Sequence, residues 1–108
     1  MKSLKPPKQS KIKGFFDVKL RRNPDGTANA NVPHAIVRHS PTGFEWGYGG
    51  SGPAELALNI LSSMIGQEAA EKNGLYQEFK FEFLANLPYD GGTIKVADIQ
   101  KWFEENKE

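Results

Sequence analysis

From Lys11 the chain alternates between apolar and polar positions. Ile12, Phe16, Val18 and Leu20 fall on one side of the pattern, and Lys11, Lys13, Phe15, Asp17 and Lys19 on the other. A period of two with one apolar side predicts a half-buried strand, with Phe15 as the aromatic on its wet side. Asn23-Pro24-Asp25-Gly26 follows. Proline pre-sets the second turn position and glycine supplies a positive φ, so the chain should fold back as a hairpin. The returning segment, Thr27 to His39, alternates through Ala28, Ala30 and Val32 until Pro33. Proline cannot donate to a ladder and marks a bulge or a change of partner. Ser40-Pro41-Thr42-Gly43 reads as a second turn. Symmetric closure would set Arg38 opposite Glu45 as a cross-strand ion pair. It would also bring Ala35, Val37 and His39 against Phe44, Trp46 and Tyr48 on the other face of a third strand.

After Tyr48 the period changes. Gly47, Gly49, Gly50 and Gly52 end the strand and permit backbone turns that side chains forbid. Pro53 suits the first position of a helix, with Gly52 as its cap. Leu56, Ala57, Ile60, Leu61 and Met64 then recur at helical spacing until Gly66. Residues 68–87 fit a helix through Tyr76, Phe79, Phe83, Leu84 and Leu87, and a strand through Phe79, Phe81 and Phe83. Length and the Glu, Lys, Gln and Ala content favour a helix broken at Asn73-Gly74 and ended by Pro88. Asp90-Gly91-Gly92 is a loop, Thr93 to Lys95 is extended, and Ile99, Trp102 and Phe103 mark a short final helix. The expected class is α+β: a three-stranded antiparallel meander followed by three helices packed on one face. It forms a single domain over residues 11–108. Residues 1–10 precede it as a disordered basic arm, since Pro6-Pro7 and spaced lysines offer nothing to bury.

Composition narrows the setting. A chain of 108 residues is one domain, and 38% hydrophobic with 25% charged residues is ordinary for a soluble one. No apolar run reaches the roughly 18 residues of a membrane span. No apolar stretch of signal-peptide length follows the basic N-terminus. Without cysteine there is no disulfide framework and no thiolate chemistry. A cytoplasmic protein is expected. The net charge of +1 hides an asymmetry: residues 1–38 hold nine Lys or Arg against Asp17 and Asp25, while the remainder holds five bases against eleven acids. A basic half either pairs with the acidic half within the fold or meets a nucleic acid or acidic partner.

Several fragments of known motifs occur. Gly47-Tyr48-Gly49-Gly50-Ser51-Gly52 satisfies G-x-G-x-x-G between a strand and a helix, where backbone amides can approach a phosphate. The second parallel strand of a dinucleotide unit does not follow, and Glu55 already places a carboxylate in the first helical turn. Gly49-Gly50-Ser51-Gly52 approaches a nucleophile elbow, but Pro53 stands where the last glycine belongs. His34 and His39 are five apart and point to opposite faces of a regular strand, so they neither share a metal nor both reach Ser51. His39 is expected to pack on Phe44 and bond the Ser-Pro turn. No cofactor and no metal is expected.

The run His39 to Ala57, HSPTGFEWGYGGSGPAELA, resembles a family of small proteins of unknown function found in bacterial genomes, plasmids and phages. Its members carry H-S-P-x-G-F-E-W-G-Y-G-G-S-G-P-A-x-L-A. Phe79-Lys80, Leu87-Pro88 and Ile99-x-x-Trp102 extend the resemblance across residues 34–104. It implies that the glycine-rich turn is the family's hallmark. The mobile-element setting implies an accessory or host-directed role.

Two function classes follow. One is a small non-enzymatic binding protein with a ligand-or-partner site at the glycine-rich turn, made by Trp46, Tyr48, Gly49, Gly50, Ser51 and Gly52. Its ligand would be a small anion, a nucleotide or a loop of a host protein. The other is a regulatory protein that grips nucleic acid or an acidic surface through Lys11, Lys13, Phe15, Lys19, Arg21 and Arg22, where an aromatic beside cations could stack a base.

Overall fold

The computed structural model describes residues 14–40 and 42–107. The arm expected at residues 1–10, together with Lys11, Ile12, Lys13 and Pro41, lies outside the described residues.

The first hairpin forms as the sequence pattern requires. In strand β1, Val18–Arg22, Val18 and Leu20 are buried while Lys19 and Arg21 face solvent. The turn closes through the Gly26 amide on the Asn23 carbonyl and the Asn23 amide on the Thr27 carbonyl, each 2.8 Å. Asp25 accepts from the Thr27 amide and hydroxyl at 3.0 and 2.7 Å, a local bond typical of turn aspartates. Strand β2, Ala28–Ala30, pairs antiparallel with β1 and ends far short of His39.

The third strand is not residues 44–48. Strand β3 is Gly91–Ile94, from beyond the helices, and pairs antiparallel with the other edge of β1 in the register Val18–Ile94 to Arg21–Gly91. The sheet order is β2-β1-β3, so the expected meander is replaced by a sheet with β1 at its centre. The reason lies in the bonds of residues 46 and 47. The Trp46 indole N–H donates to the carbonyls of Pro88 and Tyr89 at 3.0 and 3.1 Å, and the Gly47 amide donates to Leu84 at 2.9 Å. These bonds tie the segment to the connection entering β3, where a strand would need a ladder. The α+β class, a three-stranded antiparallel sheet with helices, is as expected.

Helix α1 spans Ser51–Ile65, two residues earlier than the proline suggests, with Gly50 as its cap. Gly66, at φ 93°, stops it. Helix α2, Gln67–Glu71, leads through a 3-10 turn at Lys72–Gly74 into helix α3, Leu75–Phe79, which continues as a π-helical stretch over Lys80–Leu84. The break falls at Asn73 and Gly74, both left-handed (φ 55° and 70°), and residues 75–84 are helix rather than strand. Helix α4 spans Val96–Asn106. The Asp17 carboxylate accepts the Val96 amide at 2.7 Å and so fastens its first turn to β1.

Helix α1 is the centre of the core. Leu56, Ala57, Leu58, Ile60 and Leu61 are completely buried. Each such leucine or isoleucine contributes roughly 1.5–3 kcal/mol relative to an exposed position. The cluster continues through Val18, Leu20 and Ile94 of the sheet and Phe79, Leu84, Ile99 and Trp102 of the later helices. Trp102 meets Phe79 and Phe83 edge-on at 5.4 and 5.8 Å between centroids. The helices cover one face of the sheet and leave the other open. No helix of the described residues is long and apolar enough to cross a membrane.

Candidate functional site

Two irregular segments lie against the N-terminal half of α1, and they are built differently. The first is a strap at residues 34–40. It carries no regular structure, so its amides need acceptors from elsewhere. Glu55 and Asn59, one turn apart on α1, supply them. Glu55 is completely buried. Its carboxylate accepts the His39 amide at 2.6 Å and the Arg38 amide at 2.9 and 3.1 Å, and faces His34 Nε2 at 2.6 Å. Asn59 accepts the Ala35 and Ile36 amides at 2.9 and 2.8 Å and donates to the carbonyls of Ile36 and Glu55 at 2.9 Å. Burial alone would raise the Glu55 pKa. The bond from His34 and those from the amides of His39, Arg38 and Ser40 outweigh it and hold the carboxyl below its ordinary value. The carboxylate is therefore an ionised anchor for the strap.

Three expected contacts around the strap are corrected. Arg38 pairs with Glu71 at 2.9 Å rather than with Glu45, because the strap is not a strand facing residue 45. His39 Nε2 bonds the Tyr76 hydroxyl at 2.6 Å, and it is His34 that stacks on Phe44, at 4.6 Å between centroids. Glu55 does not complement the helix terminus; it faces the strap.

The second segment is the glycine-rich corner. Its approach is firmly held. Glu45 binds Arg22 Nη1 through both oxygens at 2.8 and 2.9 Å, and the Arg22 guanidinium lies between the Trp46 and Tyr89 rings at 4.5 and 4.1 Å. Trp46 and Gly47 are bonded as described above. Beyond Gly47 the character changes. Tyr48 is 51% exposed, and its ring lies so close over Gly50 that a Cβ there would collide with it. A Cβ at Gly49 would stand 3.1 Å from the Phe81 ring, which is itself 58% exposed. The glycines thus make room for two outward-facing aromatic rings. Gly52 is a different case: its buried backbone passes the Glu45 side chain, and a Cβ would stand 2.7 Å from that of Glu45.

Lys80 locks the corner from below. It is buried, donates from Nζ to the Gly49 carbonyl at 2.9 Å, and sits 4.3 Å from the Phe81 ring centroid. Its pKa is lowered by burial. The π-helical stretch Lys80–Leu84 supplies both Lys80 inward and Phe81 outward, and its Leu84 carbonyl receives Gly47. The amides of Gly49, Gly50, Ser51 and Gly52 have no acceptor among the described residues.

Of the residues expected at the turn, Tyr48, Gly49 and Ser51 are exposed and Gly50 is half-buried. Gly52 is buried, and Trp46 is 3% exposed with its N–H engaged, so both support the corner from inside. The hairpin set divides too. Lys11 and Lys13 lie outside the described residues. Phe15 is half-buried on Phe103 at 5.3 Å, which removes it as a platform for a base. The Arg22 side chain is 6% exposed and bonded through Nε to Tyr89 and through Nη1 to Gly26 and Glu45. Lys19 and Arg21 remain exposed.

Sequence reasoning missed Glu55, Asn59, Lys80 and Phe81. A signal existed for three of them. Glu55 and Asn59 interrupt an otherwise apolar helix at a spacing of four, the mark of polar groups with a shared buried target. Phe81 stands two residues from Phe79, hence on the opposite side of a helix from the core. Nothing local marks Lys80. Among the described residues, no three His, Asp or Glu come together as a metal site would require.

The family of unknown function DUF6166 has a model that matches residues 18–105, and the chain belongs to that family. No curated protein and no solved structure matches it.

Proposed function

We propose, starting from membership of a family with no assigned activity, that this chain is a small non-enzymatic binding protein that docks onto a protein partner through its glycine-rich corner. Tyr48 and Phe81 are the anchors. The observation that carries this reading is that two large aromatics, each more than half exposed, are set in place by glycines and by the buried Lys80. An aromatic held rigidly in water loses little further freedom on binding, which is why tyrosine and other aromatics dominate the energetics of protein interfaces. The amides of Gly49, Gly50 and Ser51 would receive carbonyl or carboxylate groups of the partner.

The corner's shape favours a protein over a small ligand. Small-molecule sites are concave and enclose their ligand. A cleft of about 520 Å³ lies elsewhere, between Ile65, Leu75 and Phe103. A projecting corner suits a pocket on another protein. The resemblance to plasmid and phage proteins supports an accessory role directed at a host component.

The test compares the proteins retained from a host lysate by the wild-type chain and by a Tyr48→Ala/Phe81→Ala variant of equal thermal stability. Partners retained only by the wild type, confirmed by titration of the purified pair, are expected. Identical sets overturn the reading. Amide shifts confined to Gly49, Gly50 and Ser51 on adding inorganic phosphate or a mononucleotide would make the corner an anion site instead.

A further inference from the structure

The open face of the sheet is unlike the rest of the surface. Lys19 and Arg21 point outward from the central strand, with Asn29 and Asn31 beside them on the β2 side and Thr93 on the β3 side. The register sets Arg21 opposite Asn29 and Lys19 opposite Thr93. These residues and Gly92 line a shallow trough of about 380 Å³. Lys95, exposed where β3 ends, adds a third cation at the edge. No carboxylate pairs with Lys19, Arg21 or Lys95 among the described residues. The acid nearest Lys19 in sequence, Asp17, is held by the Val96 amide, and Asp25, four residues from Arg21, is turned to Thr27; Asp98 is the acid nearest Lys95. Among the described residues no exposed large apolar residue lies on the face: Val37, Tyr48, Phe81 and Tyr89 are all in other segments.

We propose that this open sheet face binds the phosphate backbone of double-stranded nucleic acid with little sequence preference. The inference is independent of the glycine-rich corner. Three considerations identify the occupant. Lysine, arginine, asparagine and threonine are the side chains that contact phosphate and sugar oxygens and fix a protein on a duplex. A single strand would want aromatic platforms for its bases, and the face has none, since Phe15 is packed on Phe103. The chain that enters β1 also carries Lys2, Lys5, Lys8, Lys11 and Lys13 and no acid before Asp17, so positive charge continues in sequence from the face into the arm. The pairing of basic and acidic halves within the fold, the other account of the charge asymmetry, reaches Arg22 and Arg38 but, among the described residues, not Lys19 or Arg21.

Each phosphate neutralised contributes about −0.9 to the slope of log affinity against log salt. Three contacts give a slope of about −2.7, or a loss of ~40-fold in affinity between 50 and 200 mM salt, and arm lysines would steepen it. The experiment follows binding of a fluorescent random-sequence 20-base-pair DNA duplex over a salt series, using the full chain. A Lys19→Gln/Arg21→Gln/Lys95→Gln variant, with thermal unfolding matched to wild type, should lose up to about 2.7 units of slope and bind at least tenfold more weakly at 50 mM salt. Tyr48→Ala/Phe81→Ala should bind as wild type does. The proposal is overturned if the triple variant keeps the wild-type slope while Gln at Lys2, Lys5, Lys8, Lys11 and Lys13 removes it. It is equally overturned if the wild type does not bind at 50 mM salt, if the corner variant loses binding, or if poly-glutamate or single-stranded DNA competes as well as duplex.

Discussion

The strap at residues 34–40 and the stretch of the corner before α1, residues 47–50, both lack regular structure, and both lean on the same end of α1. In the strap, Glu55 and Asn59 account for the amides of Ala35, Ile36, Arg38 and His39, and little is left to offer. In the corner, the polar groups up to Gly47 are engaged, after which rings turn outward and amides stand without protein acceptors. Irregular backbone stabilised from inside is architecture. Irregular backbone left open, on a rigid base, is where recognition can occur.

The contrast is most easily broken at Glu55. Glu55→Ala leaves His34 and the strap amides without their acceptor. Removing one partner of a buried charged network costs roughly 3–5 kcal/mol, to be read from urea unfolding with an unchanged m-value. Acid attacks the same contact more gently. The folded-state pKa of Glu55 lies below its ordinary 4.5, so its stabilisation is complete above that value and is lost as the pH falls through the folded one. Unfolding midpoints measured down the pH scale should therefore drop below pH 4.5 in the wild type, and drop less in Glu55→Gln, which starts lower. An equal drop in both would show that other carboxylates control acid stability.

Within the corner, Gly52→Ala tests the part that is architecture. The added methyl meets Glu45 Cβ and should cost about 1–3 kcal/mol by overpacking, seen as a lowered melting temperature. In α1 away from both segments, the Ser62 hydroxyl is buried without a partner among the described residues. Ser62→Ala should therefore be neutral or stabilising by up to about 1 kcal/mol in the same assay. The smallest effect belongs to the outward rings: Tyr48→Ala should change stability by no more than about 0.5 kcal/mol. A larger loss there would make the ring a structural cover and sharpen the comparison against a binding role.

Much of the fold was legible, and its errors share a cause. The hairpin, the start and stop of α1 and the break at Asn73-Gly74 were readable because each rests on local chemistry: a proline, a positive φ, a period. The Phe44-Trp46-Tyr48 alternation misled because those side chains answer to distant partners, Trp46 to Pro88 and Tyr89 and Phe44 to His34. Strand β3 was hidden by Gly91-Gly92, which carry no side-chain pattern, so only its end at Thr93 to Lys95 was recognised as extended. At the site, the glycines announced a corner, but the Phe81 that shares it lies some thirty residues on, in a π-helical stretch that sequence periodicity does not show.

The β1–β3 pairing joins residues 18 and 94, nearly the full span of the described chain. A two-stranded hairpin is marginal in water by itself, and the β1–β2 ribbon gains its third strand only once Gly91–Ile94 have been synthesised. Closing so long a loop lowers the rate of folding and makes it cooperative. Until Ile94 reaches Val18, one edge of β1 has no ladder partner, and a chain halted before residue 91 would be a target for chaperones or proteases rather than a smaller working domain.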